Sequence, residues 1–156
     1  MTTVQLRKWS KEEVVNAAKK NNFHKDSAGF TSSRYTHGPG SSREWKIDIS
    51  KDLPKKQYKE LLHHEEGHVF SERRKLNKKL STEQKRMLVK DYGAPLARGR
   101  SSFAKLQEVI AEVYRTRKYH SQSPQGRAFK SQNPKTTAII DNEIKKFKIK
   151  FKRRTQ

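Results

Sequence analysis

A chain of 156 residues with 37 Lys and Arg against 16 Asp and Glu carries a formal charge of +21, and it contains no Cys. With 31% hydrophobic and 34% charged residues, it suits one domain around one modest core. The missing Cys excludes disulfides and thiolate metal sites, so any transition metal must sit on His and carboxylate.

In chain order, Ser10-Lys11-Glu12-Glu13 is a capping box, which predicts a helix through about Lys20 with Trp9 stapling it to the core. Gly29-Phe30-Thr31 and Tyr35-Thr36 are candidate strand material, and His37 to Ser42 is a turn by composition. Glu44 to Ser50 alternates with period two, which sends Trp45, Ile47 and Ile49 inward and Glu44, Lys46, Asp48 and Ser50 outward. Together these segments predict a small antiparallel hairpin. Pro54 stops the strand and opens a helix from about Lys55 to Lys75. A further helix is expected from Ser81 or Thr82 to Tyr92, ended by Gly93 and Pro95, followed by a basic loop over 93–101. Ser101 or Ser102 caps a helix from Phe103 to about Tyr119. Residues 120–133 are linker-like, and a last helix runs from Pro134 to about Phe147 before a basic tail over 148–156. The predicted fold is a single α+β, mainly helical domain, with its core over about 10–147.

The helix over 55–75 contains His64-Glu65-Glu66-Gly67-His68, an instance of the HExxH pattern. Positions four apart share a helix face, so His64 and His68 can grip one zinc ion, with Glu65 beside them as base for a zinc-bound water. Tyr58, Leu61, Leu62 and Val69 form an apolar stripe along whose edge the two histidines lie. Gly67 lets another backbone approach closely. The strand next to such a helix commonly binds substrate backbone by edge pairing, which makes Trp45, Ile47 and Ile49 candidate substrate-binding residues, an interior strand being the other reading.

A third ligand is needed. Zincins that use Glu supply it from a second helix, and the helix over 103–119 carries Glu108-Val109-Ile110-Ala111-Glu112. Glu108 would complete the site, and Glu112, one turn on, is expected to receive the free ring N–H of a ligating His. Ala104 and Ala111 leave room for the first helix, while Phe103, Leu106, Val109, Ile110, Val113 and Tyr114 cover the other side. Glu72 is a rival, but at 1.5 Å per residue it stands about 12 Å along the axis from His64. His63 points to the far side of its helix, His120 is placed to help bind an oxyanion, and His24 and His37 carry no signal.

These motifs, with Asp91-Tyr92-Gly93, Asn133-Pro134-Lys135-Thr136 and Ile140-Asp141-Asn142-Glu143-Ile144 in the same order, resemble the C-terminal catalytic domain of anthrax lethal factor and its relatives. The likeness covers roughly residues 45 to 147. It implies a zinc endopeptidase with zinc on His64, His68 and Glu108, Glu65 as general base, and Tyr92 assisting the oxyanion or leaving group. The insertion between Tyr92 and Glu108 is longer and more basic than the family's spacing, so Tyr114 and Tyr119 stand as substitutes for Tyr92.

The expected activity is therefore zinc-dependent cleavage of a protein or peptide substrate, in a toxin, effector or phage-associated protease. The alternative is a basic nucleic-acid- or virion-associated protein on an inactive scaffold. The charge predicts attraction to a polyanion, whether nucleic acid, anionic membrane or acidic protein. No apolar run approaches the roughly 20 residues that span a bilayer. The N-terminus lacks the apolar segment of a secretory signal, so the expected location is cytoplasmic or reached by a non-classical route.

Overall fold

The structure, a computed structural model, describes residues 1–20, 28–35, 43–96 and 102–153. The expected turn at His37 to Ser42 and the loop residues 97–101 lie outside them, as do His24 and Thr36. The chain divides into two compact units, residues 1–65 with 148–156 and residues 66–147. No helix among the described residues is long and apolar enough to cross a membrane.

The first unit is built on a four-stranded sheet in the order β2-β3-β1-β4. Its strands are β1 (Thr2–Trp9), β2 (Gly29–Tyr35), β3 (Arg43–Ser50) and β4 (Ile149–Arg153). The expected hairpin is present: β2 and β3 pair antiparallel with Thr31 opposite Ile47. The sheet as a whole is mixed rather than antiparallel, because β1 runs parallel to β3, Leu6 opposite Ile47, and parallel to β4, Val4 opposite Phe151. The basic segment expected as a tail is thus a strand, entered through the Thr2 amide donating to the Lys148 carbonyl at 2.8 Å.

The capping box forms in both directions. The Glu13 amide donates to Ser10 Oγ at 3.2 Å and the Ser10 amide to Glu13 Oε1 at 3.1 Å, opening α1 (Lys11–Lys20). Val14 of α1 is fully buried, and the helix packs on β1, β2 and β3. That cover explains one departure from the alternation in β3. Asp48 and Ser50, expected outward, are buried together with Trp45, Ile47 and Ile49. A buried carboxylate needs partners. Asp48 accepts from Trp9 Nε1 at 2.6 Å and has the Arg7 guanidinium 3.7 Å away.

The helix expected over 55–75 is α2 (Lys55–Arg73), and the boundary between the units falls within it. The second unit continues with α3 (Leu76–Lys79), α4 (Thr82–Leu96), α5 (Ser102–Tyr119), α6 (Pro124–Gln132) and α7 (Pro134–Lys146). Lys75, in the left-handed region at φ 55°, turns the chain from α2 into α3. Ser81 and Gln84 form a second reciprocal cap at 3.1 and 2.8 Å. Two expectations fail here. α4 runs on through Gly93 and Pro95, since a proline in the last turn removes only one intrahelical bond. The linker-like stretch holds α6, capped by Ser123 Oγ accepting from the Gly126 amide at 3.1 Å with Pro124 in its first turn.

The core of this unit is aromatic at its centre. Phe70 stacks on Tyr114 at 4.6 Å between ring centroids and meets the edge of Phe147 at 5.5 Å. Leu106, Val109, Ile110 and Val113 of α5 are buried as expected, whereas Phe103, at the start of that helix, is 63% exposed. Glu143 of α7, buried at 4% exposure, is held by Lys79 Nζ at 2.6 Å and Arg74 Nη2 at 3.0 Å.

The cap in the first unit offers a measurable contribution. Ser10→Ala is expected to lower stability by about 1 kcal/mol and Ser10→Gly by only a few tenths, read from urea midpoints. Ser10→Ala at wild-type stability would show that the reciprocal bonds are not what holds the start of α1.

Candidate metal site

α2 carries His64, Glu65 and His68, and one ligand-type atom from each lies within 4.8 Å of the other two. His64 and His68 are half-buried, and Glu65 is 6% exposed. The i,i+4 spacing on a regular helix brings the imidazoles together, as the motif predicts.

Within the first unit, Glu65 has a partner that no motif reveals. The Thr31 hydroxyl of β2 lies against Glu65 Oε2 in a short hydrogen bond and 3.2 Å from the Glu65 carbonyl. Close packing makes this reach feasible. A Cβ at Gly29 would lie 3.0 Å from the Asp48 carbonyl and 3.3 Å from Leu61 Cδ2 of α2. The edge of the sheet beside α2 is therefore β2. Trp45, Ile47 and Ile49 cannot serve as an edge for substrate: β3 has β2 on one side and β1 on the other, and all three side chains are buried.

Within the second unit, α2 and α5 touch backbone to backbone. A Cβ at Gly67 would lie 2.6 Å from the Ala111 carbonyl oxygen and 2.7 Å from its Cα, separations no real side chain tolerates. Glycine at 67 is what this approach demands. It brings Glu108 of α5 to His68 of α2, with Glu108 Oε1 3.4 Å from His68 Nε2 and both side chains about one-fifth exposed, at 20% and 19%. Glu112 is bound by Arg115, whose Nε donates to both carboxylate oxygens at 3.1 Å.

Glu66, between Glu65 and Gly67, is anchored more heavily than either neighbour. Glu66 is 1% exposed. Its carboxylate accepts from Tyr114 Oη at 2.6 Å, Lys118 Nζ at 2.8 Å and Tyr119 Oη at 2.9 Å. Lys118 Nζ also donates to Tyr114 Oη at 2.9 Å. A buried charge is tolerated only with such pairing. Burial above all, and then the adjacent Glu66 carboxylate, push the Tyr114 phenol far above its ordinary range; Tyr119 is raised for the same reasons. The sequence carries little trace of this network. Its one signal is that Tyr114 and Lys118, four apart, fall on a single face of α5.

These bonds assign Tyr114 and Tyr119, expected as substitutes for Tyr92, to Glu66. Tyr92 itself, in α4, donates to Gln132 Oε1 at 2.7 Å, receives a bond from Asn133 Nδ2 at 3.4 Å, and packs its ring 4.5 Å from that of Phe129. His63 is half-buried on α2, and His120 is exposed just past α5. Comparison with protein-family models, curated proteins and solved structures finds no match.

The raised phenols tie stability to alkaline pH. Unfolded tyrosines lose their proton near pH 10.0, whereas Tyr114 in the folded protein holds its own well beyond that. Its contribution is therefore complete below pH 10 and is lost as pH rises further, because the unfolded chain then binds fewer protons. Urea unfolding between about pH 9 and 11 should show a decline that Tyr114→Phe makes shallower, by up to about 1.4 kcal/mol per pH unit. Parallel declines in the two proteins would rule out a buried, proton-retaining Tyr114.

Proposed function

We propose that this chain is a zinc-dependent endopeptidase of the zincin class, with His64, His68 and Glu108 as the metal ligands and Glu65 as the general base. The observation that carries the reading is the convergence on α2: His64, Glu65 and His68 within 4.8 Å of one another, with Glu108 against His68. The donor set suits zinc, since two imidazoles and one carboxylate, without thiolate, leave a coordination position for water. Bound there, zinc would acidify that water and polarise a peptide carbonyl.

The rest of the chemistry falls to side chains. Glu65 takes the proton of the attacking water and passes it to the departing amine. The Thr31 hydroxyl holds the Glu65 carboxylate by a charge-assisted hydrogen bond, which fixes the direction from which the carboxylate accepts. The peptide is expected to lie extended along β2, an outer strand of the sheet, as an added strand. That role passes to β2 from Trp45, Ile47 and Ile49, whose strand is interior. Tyr92, bonded to Gln132 and Asn133, is given no part in proton transfer.

Glu65→Gln removes the base and keeps the shape. Incubated with a mixed peptide library and followed by mass spectrometry, it should retain zinc and cleave at least about a hundredfold more slowly than the wild type. A variant that cleaves at the wild-type rate removes Glu65 from the mechanism.

A further inference from the structure

The C-terminal part of α5, the turn after it and α6 enclose a hollow of about 610 Å³. Its walls carry Arg117, Ser121, Gln122, Arg127, Lys130 and Ser131, and no carboxylate is among the lining residues. Arg117 is fixed. Its side chain is 9% exposed, with Nε and Nη2 donating to Asp141 at 3.0 and 2.7 Å and Nη1 to the Gly126 carbonyl at 2.8 Å. The turn is fixed as well, since a Cβ at Gly126 would collide with the carbonyl oxygens of His120 and Ser121.

Arg127 and Lys130 differ from Arg117. They stand three apart on α6, both exposed, and neither side chain makes an ion pair or hydrogen bond among the described residues. Like charges at that spacing repel one another. The fold thus holds two uncompensated cations on one wall of a hollow whose other walls offer a hydroxyl and an amide. We propose that this hollow binds a polyphosphate chain. A carboxylate presents two oxygens, but the donors here come from a guanidinium, an ammonium, the Ser121 hydroxyl and an amide, the Ser131 hydroxyl being engaged by the Ala128 carbonyl at 3.2 Å. Linked phosphate groups offer oxygens to all of them at once. The volume lies in the range of small-ligand sites and exceeds what a single phosphate fills. The inference is independent of the zinc reading, because none of these residues belongs to the metal site.

The test is calorimetric titration with inorganic tripolyphosphate at physiological salt. Three proteins are compared: wild type, the pocket double variant Arg127→Ala/Lys130→Ala, and a control double variant Lys55→Ala/Lys56→Ala. The control removes the same charge from exposed positions on α2. Chelation of metal by the probe is common to all three and cancels. The pocket variant should lose at least about tenfold in affinity, as expected for two charge-assisted hydrogen bonds, while the control loses less than about twofold. Equal losses in the two variants would assign binding to the diffuse charge and overturn the proposal, as would no binding to the wild type. Adenosine triphosphate, titrated alongside, should bind about as well as tripolyphosphate. A pocket that takes the nucleotide and refuses tripolyphosphate would move recognition to the base and overturn it too.

Discussion

The backbone contact between Gly67 and Ala111 is the constraint on which the second unit depends. Two helices whose backbones touch have no tolerance for a side chain between them, so their separation and rotation are set at that point. Two of the proposed ligands, His68 and Glu108, lie within a turn of it. Glu108, one turn before Ala111, meets His68, the residue after Gly67. On the other flank Glu66 is gripped by Tyr114, Lys118 and Tyr119. Contact at the centre and hydrogen bonds to one side leave α5 little freedom to slide along α2.

The neighbouring carboxylates Glu65 and Glu66 illustrate how one helix serves two purposes. Successive residues point about 100° apart around a helix axis, so adjacent acids enter different surroundings. Glu66 meets an ammonium and two phenols and is locked. Glu65 meets the Thr31 hydroxyl, a partner that orients a carboxylate without neutralising it. In a chain with so few acidic residues, each buried carboxylate has identifiable partners: Asp48 with Trp9 and Arg7, Glu143 with Lys79 and Arg74.

What could be read in the sequence was local or periodic. The HEEGH helix, the Ser10 cap, the β2–β3 hairpin and the need for glycine at 67 all follow from spacing over a few residues, and they agree with the structure. Pairing between distant segments could not be read that way. Val4 lies opposite Phe151 in a parallel ladder, and nothing near either residue names the other. The lysines of β4 alternate with Ile149 and Phe151, yet in so basic a segment the alternation is masked by charge, and the segment reads as a basic tail. Residues 120–133 misled through composition. Ser, Gln, Gly and Pro suggested a linker, although Ser123 before Pro124 is itself a helix-start pattern, and Phe129 supplies the buried contact. The pairing of Thr31 with Glu65, and of the Tyr114–Lys118 face with Glu66, is made by tertiary packing and has no counterpart in local spacing.

Peptide cleavage by this chain requires that the imidazoles of α2 and the carboxylate of Glu108 hold a metal. Zinc content after dialysis, measured by mass spectrometry of the metal in the wild type, His68→Ala and Glu108→Ala, addresses this directly. Three protein ligands predict about one zinc per wild-type chain and a large loss in both variants, with helix content unchanged. Equal, substoichiometric zinc in all three proteins would contradict the metal site and the peptidase built on it.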